Sequence, residues 1–317
     1  MVPIVGLDNS DLDGDEAKPK KASVGPIGSF ASTQPPRLVK AIASELGIES
    51  LGDIVNWELE LYDLQPATLS GFDKEFLSGG RIDDKLCSWS ALQALLGSTY
   101  SSSDTSAPGS SSSSIIKVVA LFDDEEIGSL LRQGARGNFL PSVIERIVDS
   151  FVSSSSSSPP SSSSSTTHHA TSGANLTART YANSFLLSAD VSHAVNPNFL
   201  SVYLEHHSPR LNIGPAVSCD PNGHMTTDAA SSALLQQIAE KCGSTLQLFQ
   251  IRNDSRSGGT VGPMLSARMG VRAIDVGQVQ LSMHSIRATT GALDPGLGVK
   301  LWKGFFDFYE EVDCAFR

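Results

Sequence analysis

Apolar positions along the chain switch between helical and strand spacing. Leu38, Ile42 and Leu46 recur every four residues and Gly47 follows them, which predicts a helix ending on a left-handed glycine. Residues 57–64 read as a strand. Residues 115–122 are an almost continuous apolar run, the pattern of a strand buried on both faces. Pro141 sits where a helix opens, and Val143, Ile144, Ile147, Val148 and Phe151 form one stripe along it. A buried strand follows at 185–189, then a helix at 228–241 closed by Gly243, a strand at 246–251, a helix at 259–269 and a strand at 271–276. Buried strands alternating with amphipathic helices predict an α/β fold, a mostly parallel sheet sandwiched by helices. Its ligands are expected beyond the carboxyl ends of the strands. Pro295 and Gly296 predict a kink or break before Trp302, Phe305, Phe306 and Tyr309, a stripe that reads as core or oligomer contact.

Between these elements the pattern lapses. Residues 8–37 mix acids, lysine, glycine, serine and proline without hydrophobic period, and 101–114 and 153–173 are nearly pure serine with proline. Segments this poor in apolar groups do not offset the entropy of ordering, so all three read as surface loops. The rest of the 317 residues, with 40% hydrophobic content over the whole chain, suffices for one substantial core.

The formal net charge of −11 repels phosphate backbones, and Lys and Arg form no cluster with interleaved aromatics, so no nucleic-acid partner is expected. No apolar run approaches the roughly 20 residues that span a bilayer, and the first residues lack a signal-peptide pattern. No membrane association is expected, and a cytoplasmic location follows by default. The cysteines Cys87, Cys219, Cys242 and Cys314 are scattered without a CxxC pair. Any metal would therefore be held by oxygen and imidazole.

Candidate ligands of that kind stand at the expected strand ends. The run 115–122 leads into Asp123-Asp124-Glu125-Glu126, and 185–189 leads into Asp190 with His193 three residues on. Asp83-Asp84 forms a second acidic pair, and Met283-His284-Ser285 adds an imidazole. Crowded acids repel one another unless a cation or solvent relieves them. A solvated acidic loop explains one such run; several, with histidine, match the ligand set of hydrolytic zinc sites.

The segments GRIDDKLCSWSALQAL, VVALFDDEEIGS, LLSADVSHAVNPNF, IRNDSRSGGTVGP and QLSMHSIR, in that order, resemble the successive signature motifs of the M18 aspartyl aminopeptidases. The resemblance covers most of the chain outside its serine tracts. It implies a zinc-peptidase-like fold and a metallo-aminopeptidase that releases acidic residues, Asp or Glu, from peptides with a free N-terminus. It further implies that Asp83 bridges two zinc ions, that Glu126 and His284 complete one site, that Asp190 joins Asp83 at the other, and that Glu125 is the general base. A cis Asp83–Asp84 peptide, a homo-oligomer in the full-length enzyme, and a cytoplasmic location that admits delivery to the vacuole are implied in the same way.

The chain also departs from that pattern. Members share an early His-Thr-Asp-Ser-Pro motif whose histidine ligates the metal held by Asp190, whereas the first histidine here is His168, inside a serine tract. The opening VPIVGL resembles a stretch from the middle of a member. A truncated enzyme is therefore expected: residues 1–37 a remnant of an inserted domain plus flexible linker, and 38–317 the catalytic domain with serine-rich insertions at 101–114 and 153–173. The N-terminal part of the catalytic domain and most of a second domain would be missing, and one metal site would be a histidine short. The alternative is a catalytically incompetent fragment or paralogue acting as an assembly or binding subunit. Members preferring acidic substrates commonly carry a lysine soon after a Gly-Pro, yet Gly214-Pro215 leads into Ala216, Val217 and Ser218.

Weaker signals complete the reading. His193 is a candidate for the substrate pocket or a structural histidine. Gly258 and Gly259, between Ser257 and Thr260, can cradle a substrate anion at a helix start or form a plain turn. Adjacent His206 and His207 point apart on an extended chain and do not suggest joint ligation. The series Asp11, Asp13, Asp15 begins like a calcium loop but fails at its sixth position, Glu16, and its twelfth, Ala22.

Overall fold

Gly47 takes the left-handed conformation expected of it (φ 65°, ψ 29°) and closes helix α1 (Pro36–Leu46), its N–H bonding the carbonyls of Ala43 and Ser44. The computed structural model describes residues 4–6, 24–101, 115–155 and 175–316. These fall into two compact units, Met1–Leu61 and Tyr62–Arg317. In the first, α1 packs with 3-10 turns at Phe30–Thr33 and Leu51–Asp53. Val24, Ala31, Val39, Ala43 and Ile54 are its buried centre, with Phe30, Ile48, Leu51 and Trp57 around them. The buried stripe of α1 is thus one position on from the predicted one, and Leu46 is 68% exposed. Trp57 turns into this cluster, its ring edge-on to Phe30 at 5.1 Å. The strand expected at 57–64 does not form, since Leu59, Leu61 and Leu64 find no surface to cover and stay exposed.

The second unit holds the elements β1 (Thr68–Ser70), β2 (Phe76–Gly79), α2 (Ile82–Ser101), α3 (Phe139–Ser155), α4 (Leu176–Asn183), β3 (Phe185–Ser188), β4 (Ser192–His193) and β5 (Ala216–Cys219). It continues with α5 (Ala229–Cys242), β6 (Gln247–Gln250), α6 (Val261–Met269), β7 (Arg272–Gly277), β8 (Val279–Leu281), β9 (Ala288–Gly291) and α7 (Asp294–Phe316). One sheet has the order β3-β7-β5-β6 and the other β1-β2-β9-β8-β4. In the first, Phe185, Leu187, Ile274 and Val276 face α2, α5 and α7, while Leu186 and Val271 face α3 and α6, so helices cover both faces as expected.

The sheets are mixed, however, not mostly parallel. β3 and β7 run parallel, as do β5 and β6, but β5 runs antiparallel to β7, with Ala216 beside Gly277. The second sheet is antiparallel except where β4 joins β8. Gln250 at the end of β6 stands opposite Cys219, and Val217 of β5 opposite Val276, so β7 begins at the end where β6 finished. An alternation of strands and helices in the sequence does not state which way the next strand runs.

Two more expectations are corrected. Residues 115–122 are extended but pair with no strand among the described residues. Val119, Ala120 and Phe122 pack inward, whereas Ile116, Val118 and Leu121 are 56%, 44% and 58% exposed, so only one side is covered. Pro295 does not break the last helix. It lies in the first turn of α7, where its missing N–H leaves no intrahelical bond unmade, and the helix runs for 23 residues. Leu301, Trp302, Phe306 and Tyr309 are buried core along that helix. Of the serine tracts, only Ser101 and residues 153–155, at the ends of α2 and α3, lie within the described residues.

Candidate metal centre

Three chain reversals aim acidic and imidazole groups at one place. After β2 the backbone turns through Arg81 (φ 57°), and Asp83 and Asp84 keep non-helical angles at the head of α2, joined by a cis peptide. The Asp84 carboxylate caps the helix by accepting the Cys87 N–H at 3.0 Å. After 115–122, Asp124 takes a left-handed conformation and starts a 3-10 turn, Glu125–Ile127, closed by Gly128 at φ 97°. Successive residues of such a turn point about 120° apart, so Glu125 and Glu126 face different directions. After β8, Ser282 and His284 both have positive φ, and the Ser285 N–H bonds the Ser282 carbonyl at 3.0 Å, holding the imidazole on a tight turn.

The result is a cluster in which Asp83, Glu126 and His284 each bring one ligand atom within 4.8 Å of the others. His284 Nε2 lies 3.5 Å from Asp83 Oδ2 and 3.4 Å from Glu126 Oε2. Ligands about 2.0–2.2 Å from a tetrahedral zinc stand about 3.3–3.6 Å from one another, so the two distances from the imidazole nitrogen to its carboxylate oxygens fit that ion.

Electrostatics marks the same place. Burial and then repulsion by Glu126 push Asp83 up to about 6, against the pull of His284. Burial pushes Asp190 up to about 8, reinforced by Asp83, Glu125 and Glu126 and opposed by the Val191 N–H, which donates to its Oδ1 at 2.8 Å. Glu125 is raised by burial, then by Glu126 and Asp83. Acids that raise one another in this way are a cluster awaiting positive charge.

Asp190 therefore belongs to this electrostatic cluster, although it stands outside the closest group of three. It is set by contact between strands: a Cβ on Gly277, at the end of β7, would overlap the Asp190 carbonyl oxygen, so only glycine lets β7 approach. Asp84 escaped the sequence reading as a site group. Burial and then Asp190 hold its carboxyl well above the usual range, and the doubled aspartate at 83–84 was the available signal.

The weaker candidates are placed differently. His193, on β4, has its pKa held down by burial and by His284, and its ring meets Phe249 edge-on at 6.2 Å. Gly258 and Gly259 lie in the loop before α6, where Ser257 donates to Asp220 at 2.5 Å; no hydrogen bond among the described residues joins that loop to the carboxylate cluster. His207 Nδ1 accepts the Gln250 N–H at 3.0 Å while exposed His206 faces Glu205, so the two do not ligate together. Ser218, after Gly214-Pro215, is buried with its hydroxyl on Ser192. His168 and the 11–16 segment lie outside the described residues.

Comparison with known proteins meets this geometry. Residues 1–306 match the family described as Aminopeptidase I zinc metalloprotease (M18). The chain is 40% identical over 311 residues to vacuolar aminopeptidase 1 of Saccharomyces cerevisiae, covering 98% of this chain and 55% of that protein. It is 40% identical over 303 residues to an aspartyl aminopeptidase of Aspergillus oryzae, covering 92% of this chain and 56% of that protein. It is also similar to the solved Saccharomyces cerevisiae mApe1 dodecamer, with TM-score 0.72 and 40% identity over 92% of this chain and 58% of that one. The chain thus spans a little over half the length of the relatives it matches. On the family match and these identities, the chain belongs to the M18 family of zinc metalloproteases.

Proposed function

We propose that this chain carries the catalytic machinery of a zinc aminopeptidase that removes the amino-terminal residue from peptides. The observation that carries this reading is the convergence of Asp83, Glu126 and His284 with ligand atoms within 4.8 Å, ringed by Glu125 and Asp190. All five side chains belong to the Tyr62–Arg317 unit. Asp83, Glu126 and His284 would hold one zinc ion. Asp83 and Asp190 would contribute to a second. Bound zinc supplies Lewis-acid chemistry, acidifying water and polarising the scissile carbonyl.

Glu125 is the base in this scheme. Burial raises its carboxyl above the ordinary value, and it faces away from the Glu126 direction committed to ligation. It takes a proton from the water whose oxygen attacks the carbonyl carbon. It then passes that proton to the nitrogen as the carbon–nitrogen bond breaks. The name of the Aspergillus oryzae relative supports an acidic amino-terminal residue, and the dodecamer supports a homo-oligomer. Location follows less closely: no helix among the described residues is long and apolar enough to cross a membrane, and the yeast relative is named vacuolar.

The test is Glu125→Gln in the zinc-loaded protein, assayed with amino-terminal Asp and Leu amides alongside zinc content. Turnover should fall by about 10²–10⁴-fold with zinc retained. Unchanged turnover removes Glu125 from the role, and faster cleavage of the Leu amide overturns the acidic preference.

A further inference from the structure

Two buried carboxylates outside the metal cluster, Asp275 and Asp294, are bonded by neutral donors, and Asp275 is the one joined to the strand that leads into Asp190. Asp275, on β7, is 2% exposed, and all its hydrogen bonds come from neutral donors. Its Oδ2 accepts the Thr226 N–H at 2.5 Å and the Thr226 hydroxyl at 2.7 Å, and its Oδ1 accepts the Thr260 hydroxyl at 2.7 Å. Burying an unpaired carboxylate is expensive. Three charge-assisted bonds and the amino-terminal end of α6, capped by Thr260, offset that cost. Gly262 makes the approach feasible, because a Cβ there would overlap Asp275 Oδ1 and meet Ser188 Cβ at 2.9 Å.

The proton order in this network is forced. A carboxylate only accepts, so Thr260 gives its one hydroxyl proton to Asp275. Thr260 Oγ1 also accepts the Gly262 N–H at 3.1 Å. In the 3.0 Å bond between Ser188 and Thr260, Ser188 must then be the donor. A relay therefore runs from Ser188 through Thr260 to Asp275. Ser188 ends β3 in register with Asp275, two residues before Asp190.

We propose that Asp275 is a positioning residue for the metal centre, holding, through Thr260 and Ser188, the end of β3 that carries Asp190. The proposal rests on Asp190 being a zinc ligand, as argued above. β7 would then place Asp190 twice, by the close approach of Gly277 and by this relay.

Two readouts on the whole chain test it: affinity for zinc alone in competition with a chelator, and hydrogen exchange across residues 186–192 without metal. Asp275→Ala and Ser188→Ala should each weaken zinc binding about tenfold or more and speed exchange across 186–192. Ser188→Ala is the variant that spares the fold, and in it the Thr226 amide should stay protected, since Asp275 keeps that donor. Asp275→Asn should recover most of the affinity lost in Asp275→Ala, because its amide can accept from Thr226 and donate to Thr260, running the relay in reverse. Wild-type zinc affinity and exchange in Ser188→Ala overturn the proposal. Wild-type zinc affinity in Asp190→Asn would instead overturn the ligand assignment, while exchange across 186–192 still reports whether the strand end is held.

Discussion

Asp83 and Asp190 keep their protons in the fold at pH values where an unfolded chain has released them. With ordinary values of 3.8 raised to about 6 and about 8, both carboxyls stabilise the metal-free protein most below about pH 3.8. That contribution is lost as pH rises through about 6 for Asp83 and about 8 for Asp190. The metal-free protein should therefore melt at progressively lower temperature from pH 4 to pH 8, read by scanning calorimetry, and Asp190→Asn should flatten the upper part of the decline. A melting temperature that rises through that interval in the metal-free protein would contradict the assignment. Zinc reverses the sense, since it binds the deprotonated carboxylates and gains affinity as pH rises.

Between elements, α5 and α7 meet closely at a glycine. A Cβ on Gly304 of α7 would stand 2.6 Å from Cys242 Sγ and 2.7 Å from Cys242 Cβ. Gly304→Ala should cost about 1–3 kcal/mol in urea unfolding, despite the helix propensity gained. Adding Cys242→Ala should recover only part, because it removes the sulfur but not the Cβ. Full additivity of the two changes would show that the helices do not meet there.

Helix ends such as those at Gly47 and Gly243 were legible in the sequence because local chemistry decides them. The direction of β5 and the single covered face of 115–122 were not. Both depend on what lies alongside, which an apolar run does not state. In the centre, the acids at 83–84, 123–126 and 190 announced themselves by crowding at element ends. His284 joins them from the other end of the chain, and its place was readable only through a resemblance in motif order. The Gly277 approach and the Asp275 relay left no local pattern at all.

For the molecule as a whole, the centre concentrates negative charge in a chain already at −11. An ion that binds only the folded state adds stability by mass action. Stripping metal with a chelator should lower the melting temperature, and restoring free zinc at a hundred to a thousand times its Kd should return about 3–4 kcal/mol. Indifference of the melting temperature to zinc would exclude a built ion site.

The clustered ligands come from positions 83, 126 and 284, and β3 must find β7 across the whole of β4 to α6. Closing such distances is slow and entropically costly. On the ribosome, the acids emerge long before the histidine and the strand that gathers them. Until then they are a string of mutually repelling charges with no fixed geometry to offer an ion. Loading with zinc therefore belongs at the end of biogenesis, as a mark that synthesis and folding are complete.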